Sequence, residues 1–285
     1  MTHHPPFKQV ENSRPAFETK NTFQYTKTPQ PDWAPGQGVN DADLKHAELY
    51  REPTASGTKT FVPYENISVP DAYKLMINSV VPRPIALCST LSVDGHPNLA
   101  PFSYFNAVGH NPPVIMVSFT AAGGKQKDSG DNIKKTKEFV VNIISEPFIE
   151  AANYTAIDAP PGVSEWALSG LTQLASTKVK PARCQEAAIS MECELEHLYE
   201  TFDPSEPSKL TQTVVLGRIK AWHIKESVLV DGGPSISIEK LMPIARLGGI
   251  SYTRVNTAFE LTRPVWEKEK ELPEVKALLE AEKGK

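Results

Sequence analysis

The chain has 285 residues, of which 40% are hydrophobic and 22% are charged, and its formal net charge is -4. This is a globular composition, and the length is sufficient to bury a sizeable core in one large domain or two small ones. The slightly acidic balance argues against a nucleic-acid partner, although it allows a local basic pocket for a small anion.

The N-terminal segment and the cysteines indicate a cytoplasmic protein. The first residues, MTHHPPFKQVENSRP, lack the apolar region of a secretory signal, and the sequence has no run of about 18 apolar residues that could cross a membrane. Cys88, Cys184 and Cys193 lack paired spacing, so we expect packing residues rather than a disulfide framework.

Residues 1–60 differ in composition from the rest of the chain and predict an extended arm. The segment is rich in Pro, Thr, Lys and Gln, which favours little core of its own, with a short helix near DADLKHAELY. Its aromatic residues are too many for a simple linker, so we expect the arm to lie across the folded body or a partner subunit. The folded domain is predicted to span residues 61–262. Residues 263–285 are predicted to form a tail, with a helix after Pro273.

The body opens with strand-like segments that surround an unusual proline. RPIALCSTLS predicts a strand over residues 83–92, and the following VDGHPN contains an Asp94-Gly95 hairpin signal. LAPFSYFNAVG is the next extended segment, and PVIMVSF is the third. Pro101 lies inside the second segment and removes a ladder donor. That segment is therefore either an irregular edge or a strand whose backbone faces something other than a neighbouring strand.

The later segments complete a mainly β pattern. In DSGDNIKKTKEFVVNII, Asp128 or Ser129 can cap a short helix through about residue 137, and EFVVNII predicts a buried strand. EPFIEAANYTAID and VSEWALSGL predict helices or helical turns. AISMECELEHLYET alternates from Ile189 to Tyr199, which predicts a half-buried strand. KLTQTVVLGRIKAWHIKE predicts a long bent strand or a strand pair, with Gly217 as a bulge. Closely spaced strands favour a barrel over a doubly wound sheet.

Motifs for several common chemistries are missing from the sequence. No GxGxxG follows a strand, GGK lacks the upstream glycine of a P-loop, and there is no GxSxG elbow. The seven histidines make no metal-ligand spacing, so we predict no metal. His223 lies on an apolar strand and is interpreted as a satisfied histidine rather than an acid or base. We predict no catalytic side chain.

An anion site is the best-supported binding feature. GGKQKDSGDNIKK places Lys125 and Lys127 just before a helix start, where free N–H groups and ammonium groups suit a phosphate. A solvated basic turn is the alternative. Arg83, the hydroxyls of Ser89 and Thr90 and the proline-bearing segment suit a ligand that combines a flat ring system, a polyol and a phosphate. This combination outlines a pocket for flavin mononucleotide (FMN).

Three segments in this order resemble the flavin reductase-like family with the FMN-binding split barrel. They are RPIALCSTLSVDGHPNLAPFSYFNAVGHNPPVIMVSF, KDSGDNIKKTKEFVVNII and MPIARLGGISYTRV, which together cover roughly residues 80–255. The resemblance implies a split β-barrel of six strands with short peripheral helices. It also implies a homodimer that holds FMN between the barrel and the facing subunit.

The resemblance further implies a set of cofactor-binding residues. They are Arg83, Ser89 and Thr90 on the first strand; Ala100, Pro101, Ser103, Tyr104, Phe105 and Asn106 along the second segment; Lys127, Asp128, Ser129 and Asn132 on the phosphate side; and Arg246 and Tyr252 near the end. Among the aromatic residues, we expect Phe102 and Phe105 to be core or interface residues rather than ring-stacking groups.

The function implied by the resemblance is an NAD(P)H-dependent flavin reductase. The nicotinamide would dock transiently over the flavin and transfer a hydride to it, so no acid or base side chain is needed. The reduced flavin could then serve a flavin-dependent monooxygenase. Two alternatives remain open: an FMN-dependent reductase of an organic substrate, and a non-catalytic FMN-binding protein.

Overall fold

The computed structural model describes residues 7–20, 22–39, 50, 57–121, 123–160 and 162–284. These residues divide into two compact units, one from residues up to 45 and from 256 onward, the other from residues 46–255. The helix predicted near residues 41–50 lies outside the described residues, apart from Tyr50. The predicted boundaries of the arm, the domain and the tail stay a prediction.

The helices and strands are numbered in chain order. The α-helices of the described residues are α1 (Phe7–Asn12), α2 (Val69–Ser79), α3 (Asp128–Thr136), α4 (Ile149–Tyr154), α5 (Glu165–Ser169), α6 (Ile238–Leu241), α7 (Trp266–Glu269) and α8 (Pro273–Lys283). The strands are β1 (Gln24–Tyr25), β2 (Ala86–Leu91), β3 (Pro97–Phe102), β4 (Phe105–His110), β5 (Pro113–Thr120), β6 (Glu138–Ile143), β7 (Gln173–Leu174), β8 (Arg183–Cys184), β9 (Ile189–Asp203), β10 (Glu206–Ile224), β11 (Ile244–Arg246), β12 (Tyr252–Arg254) and β13 (Thr257–Ala258). No described helix has the length and apolar character needed to cross a lipid bilayer.

The smaller unit joins the two ends of the chain through a short parallel strand pair. β1 pairs with β13, and the Thr26 amide donates to the Ala258 carbonyl at 2.8 Å. The Trp33 indole N–H donates to the Gly38 carbonyl at 2.9 Å, which closes a turn in the same unit. None of the described residues of this unit is buried, so backbone pairing and partly exposed contacts hold it together.

The larger unit is built on a seven-stranded antiparallel sheet of described strands. The strand order is β3-β2-β6-β9-β10-β5-β4, and each neighbouring pair is antiparallel. The mainly β architecture with short helices between the strands is therefore confirmed. No ladder joins β3 to β4 among the described strands, so the sheet is open between these two edges.

The two edge strands of this sheet are consecutive in the chain. β3 ends at Phe102 and β4 begins at Phe105, so the segment predicted as one strand is in fact two. Because two intervening residues span at most about 11 Å, the opposite edges of the sheet approach each other here and the sheet curls. The Ser118 amide donates to the Tyr104 carbonyl at 2.9 Å and ties this crossing to β5. Pro101 lies on the edge strand β3, where its missing donor is tolerated.

The predicted irregularity at Gly217 is present, but the bulged residue lies on the partner strand β9 and not on β10. The pairing of β10 with β9 passes from Leu216 opposite His197 to Gly217 opposite Leu195, which leaves one extra residue on β9. The bulge changes which side chains of β9 face the core. Leu198 therefore packs against the apolar core, whereas Tyr199 is exposed. The alternation predicted from Ile189 to Tyr199 is therefore wrong beyond the bulge.

Both faces of β2 are buried, and they serve two separate apolar clusters. Cys88 lies in the first cluster with Phe119 and Phe139, whereas Leu87 lies in the second with Trp166. Successive side chains of a strand point to opposite faces, which explains the division. All three cysteines are buried and free, as predicted, and burial raises the pKa of the Cys184 thiol to about 12.

A fully buried carboxylate holds the loop that precedes β8. The Glu192 oxygens accept hydrogen bonds from the backbone amides of Thr177, Lys178 and Val179 at 2.5–3.1 Å, and from the Thr177 hydroxyl at 3.2 Å. His223 Nε2 lies 2.5 Å from the same carboxylate, which satisfies this histidine as predicted. Burial acts to raise the pKa of Glu192, but these hydrogen bonds outweigh it and hold the pKa below its ordinary value of 4.5.

Candidate functional site

The helix predicted on the phosphate side is present, but its cap differs from the prediction. α3 begins at Asp128, and Lys127 is the N-cap, with extended backbone and no side-chain capping hydrogen bond. The predicted cap at Asp128 or Ser129 is therefore wrong, because both residues already lie in the first turn. The backbone amides of a first helical turn have no partner within the helix, so they are available to an anion.

A polar cluster fixes this helix to the strands β2 and β3. Thr90 Oγ1 accepts hydrogen bonds from the side-chain amides of Asn132 at 3.0 Å and Asn98 at 3.3 Å. The Asn98 amide also donates to Ser129 Oγ at 2.8 Å. Thr90, Ser129 and Asn132 are buried, so three of the predicted cofactor residues also position the helix start.

Replacing Thr90 by valine should lower the free energy of unfolding by about 2 kcal/mol, because the buried Asn132 amide loses its acceptor and the part-buried Asn98 amide loses one of two acceptors, while the side chain keeps its shape. Chemical denaturation in urea measures the effect. Thr90→Ser keeps the hydroxyl and should recover most of the loss. Equal stability of the wild type and Thr90→Val would contradict the role of this cluster.

A cavity of about 350 Å³ opens beside the start of α3. It is lined by Asn98, Ala100, Pro101, Phe102, Lys125, Gln126, Lys127, Asp128, Ser129, Thr155, Ala156, Ile157, Asp158, Ala159 and Glu165. We call it the main cavity. Lys127 Nζ lies 3.4 Å from a carboxylate oxygen of Asp158, whose side chain is 98% exposed. Such an exposed pair is weak, so the Lys127 ammonium can turn to another anion.

A second cavity, of about 170 Å³, adjoins the main cavity, and Pro101 and Phe102 line both. Its remaining lining residues are Tyr73, Ile77, Arg83, Ser103, Tyr104, Ser118, Thr120, Arg246 and Gly249. We call it the side cavity. The predicted site residues are thus divided. Ala100, Lys127, Asp128 and Ser129 line the main cavity, whereas Arg83, Ser103, Tyr104 and Arg246 line the side cavity and Pro101 lines both.

Arg83 is buried at the wall of the side cavity. Its Nη1 donates to the carbonyls of Ile77 and Val80 at 2.6 and 2.7 Å, and its Nη2 donates to the Leu247 carbonyl at 3.0 Å. Its Nε donates to Ser103 Oγ at 3.3 Å. Ile77 and Val80 lie at the C-terminal end of α2, where the helix dipole favours a cation. Arg83 therefore fixes α2 and the loop after β11 against the strands.

Four other predicted residues, Phe105, Asn106, Ser89 and Tyr252, line neither cavity. Phe105 belongs to the first apolar cluster, as expected for a core aromatic, so its side chain packs in the core and does not line a cavity. Asn106 is exposed, and its side-chain oxygen accepts from the Ala107 amide. Ser89 is buried within the sheet. The Tyr252 hydroxyl donates to Asn153 at 2.6 Å. These positions are outside the lining of both cavities.

Sequence reasoning missed three features of this site. Asn98 was not singled out, although its amide joins β3 to α3, and Tyr73 and Ser118 were not expected beside Tyr104. No local signal marks them, because their roles depend on segments far apart in the sequence. Among the described residues, no group of three or more metal-ligating side chains could hold a metal ion.

The fold and the cavities together define a mainly β protein with two adjoining cavities at a sheet edge, both lined by basic and hydroxyl-bearing side chains. The family described as flavin reductase like domain matches residues 78–234. The protein therefore belongs to the flavin reductase-like family, as the motifs of the sequence predict.

Three known proteins resemble this chain in sequence or structure over more than two thirds of its length. The uncharacterised protein YwrF of Bacillus subtilis is 36% identical over 200 residues, which cover 70% of this chain and 97% of YwrF. The crystal structure of nitrilotriacetate monooxygenase component B from Bacillus cereus has a TM-score of 0.68 and 35% identity, covering 72% of this chain and all of that one (100%). The 2-nitrobenzoate 2-nitroreductase NbaA of Pseudomonas fluorescens has a TM-score of 0.63 and 29% identity, covering 73% and 98%.

Proposed function

We propose that the protein is an FMN-binding flavin reductase that takes a hydride from NAD(P)H and acts as a split-barrel homodimer. The family match supports the reaction class, and the main cavity beside α3 is the observation that carries the cofactor assignment. The curled sheet with its two edges joined through Ser103 and Tyr104 is consistent with a split barrel.

The residues of the main cavity fit a single phosphate. The open first turn of α3 offers backbone N–H groups, and Lys125 and Lys127 add positive charge beside it. Ser129 Oγ accepts from Asn98, so its own proton is free to be donated to a phosphate oxygen. Asp128 and Asp158 line the same cavity, and these carboxylates disfavour a second phosphate. This balance supports FMN over a flavin dinucleotide.

The edge strand β3 supplies the remaining surface of the main cavity. Ala100, Pro101 and Phe102 line it, and an edge strand presents backbone groups that no neighbouring strand consumes on that side. We propose that these groups orient the flavin ring, for which the protein supplies binding, orientation and exclusion of water. A bound flavin would supply the hydride-accepting chemistry itself. A direct cofactor role for Ser89, Asn106 and Tyr252 stays a prediction.

The physiological acceptor has two candidate classes. Similarity to a monooxygenase component B supports a flavin-dependent monooxygenase that uses the reduced flavin. Similarity to a 2-nitrobenzoate reductase supports direct reduction of an organic substrate, and the two arginines of the side cavity favour an acidic one. A non-catalytic FMN-binding protein is the third reading, which requires that bound flavin is not reduced at a useful rate.

The phosphate assignment predicts a selective loss of FMN affinity. Lys127→Ala and Ser129→Ala should each weaken FMN binding about tenfold, because each removes a hydrogen bond to a charged group. Titration of flavin fluorescence measures the affinity. Riboflavin, which lacks the phosphate, should bind all variants equally. Lys134→Ala, on the last turn of the same helix and paired with Glu200, is the matched control and should not change FMN binding.

The proposed function itself is tested by an absorption spectrum of the purified protein, followed by NADH or NADPH addition without oxygen. Flavin bands that bleach would support a reductase, and the faster donor would define the nucleotide preference. A protein that stays colourless after incubation with FMN would refute the cofactor assignment. Flavin bands that do not bleach would favour the non-catalytic reading.

A further inference from the structure

The side cavity is positively charged and has no acidic residue in its lining. Arg83 and Arg246 contribute guanidinium groups, and Tyr73, Ser103, Tyr104, Ser118 and Thr120 contribute hydroxyls. All of these residues lie in the described part of the chain. A small open cleft with two cations and several hydroxyl donors suits an oxyanion.

Arg83 keeps a charge and a donor that its protein partners do not use. The guanidinium carries five N–H groups. The four hydrogen bonds to Ile77, Val80, Leu247 and Ser103 use one N–H each, which leaves one N–H of Nη2. All four acceptors are uncharged, and the side chain is more than nine-tenths buried, at 6% exposure. A buried charge is costly unless an opposite charge accompanies it.

Tyr104 provides a second unused donor in the same space. Its ring lines the cavity, and its hydroxyl is buried and has no hydrogen-bond partner among the described residues, so a ligand that enters must displace little to reach it. Buried hydroxyls in folded proteins are nearly always bonded, so an unpartnered one needs an explanation. Burial, and less strongly the nearby Tyr73, raise the pKa of Tyr104, against a smaller opposing effect of Arg83. The hydroxyl therefore stays protonated and can donate.

Arg246 is held at the other wall of the side cavity. Its guanidinium lies over the Tyr252 ring at 4.4 Å, and its Nη2 donates to the Gly249 carbonyl at 2.7 Å. These contacts fix the orientation of the guanidinium but leave it part-exposed, with N–H groups for a further acceptor. Arg246 thus presents a pre-positioned cation, which reduces the entropy lost when an anion binds.

The size of the side cavity argues against the flavin as its occupant. Pockets for cofactors and drug-sized ligands hold roughly 300 Å³ or more. The side cavity holds about 170 Å³, about half the volume of the main cavity, with which it shares Pro101 and Phe102. It is thus a small polar compartment beside the proposed flavin site.

We propose that the side cavity binds the carboxylate or phosphate group of the second substrate and so positions that substrate beside the flavin. This inference rests on the proposed flavin site. Tyr104 and Arg246 are then specificity-determining residues for an anionic substrate rather than flavin ligands. The oxyanion belongs either to an acidic organic acceptor or to the nicotinamide nucleotide.

The test uses the FMN-loaded full chain and two redox-inert probes. Benzoate represents a carboxylate acceptor, and oxidised nicotinamide mononucleotide represents the phosphate of the donor. Binding is measured by isothermal titration calorimetry. We expect at least one probe to bind, and we expect Arg246→Gln and Tyr104→Phe to weaken that binding about tenfold and about fivefold. The tighter probe identifies the source of the oxyanion.

The controls make the same chemical changes on the surface of the same unit. Tyr199→Phe alters a 61% exposed tyrosine, and Arg218→Gln alters an arginine paired with Glu196, so both should bind the probes like the wild type. If neither probe binds, or if the side-cavity variants bind equally well, the inference is overturned. Failure of FMN itself to bind would instead refute the proposed function, and the inference with it.

Discussion

Replacing Glu192 by alanine is expected to lower the free energy of unfolding by about 3–5 kcal/mol. The variant would leave the backbone amides of Thr177, Lys178 and Val179 without their acceptor and His223 without its partner. An unsatisfied buried donor such as the Val179 amide costs about 1–3 kcal/mol, and the lost hydrogen bonds of the part-buried Thr177 and Lys178 amides and of His223 add to this cost. Urea denaturation followed by circular dichroism measures the change.

Glu194 provides the matched control for this prediction, because it lies on the same strand two residues further on. Its side chain is 47% exposed and pairs with Lys220 on the surface at 3.0 Å. Glu194→Ala should therefore cost less than about 1 kcal/mol. Similar losses for the two variants would contradict the view that Glu192 holds the loop.

The same carboxylate should make stability depend on pH. The folded-state pKa of Glu192 lies below 4.5, so its contribution is present above the unfolded-state pKa and is lost as the pH falls through the folded-state pKa. The wild type should accordingly lose stability in acid more steeply than Glu192→Gln, which keeps the shape but does not titrate. Parallel curves below about pH 4.5 would contradict the assignment.

Gly217→Val is the second large expected effect, with a loss of about 3 kcal/mol of unfolding free energy. A Cβ at this position would lie 2.2 Å from Cζ of Phe139, which is fully buried in the first apolar cluster. Valine favours strands, so a loss would arise from the clash and not from backbone preference. Thermal and urea denaturation measure the effect.

A double-mutant cycle separates the clash from other causes. Phe139→Leu shortens the obstructing ring, so Gly217→Val should cost less in that background than in the wild type. Gly233→Ala is the control, because a Cβ there would meet its nearest neighbour at an ordinary 3.6 Å. An unchanged cost in the Phe139→Leu background would show that the contact is not responsible.

Local sequence signals predicted the elements that depend on neighbouring residues. The Asp94-Gly95 turn predicted the β2–β3 hairpin, and Gly217 marked the point where the β9–β10 pairing shifts register, although the extra residue lies on β9. The start of α3 was predicted to within one residue, but not its cap. Several residue types at this helix start can cap, and only the extended backbone of Lys127 decides between them. The break between β3 and β4 had no glycine or proline signal at Ser103 and Tyr104.

Features that depend on distant segments could not be predicted. Glu192 stands among the polar residues of an alternating strand, and that pattern does not distinguish it from the exposed Glu194. Its burial depends on a loop at residues 177–179 and on His223 of the next strand. The site residues were predicted as one set, but the structure divides them between two cavities. Arg83 belongs to the side cavity because the Leu247 carbonyl reaches it from a distant loop.

The strand order of the central sheet has a consequence for how the chain folds. β5 pairs with β10, although β5 ends at Thr120 and β10 begins at Glu206. Pairing across such a long separation carries a large loop-closure entropy, so it forms late and slowly. During synthesis, an emerging chain would carry an unpaired β5 edge until β10 leaves the ribosome. Intermolecular strand pairing at that edge is then the expected route of misfolding, and chaperones that shield β edges should raise the yield.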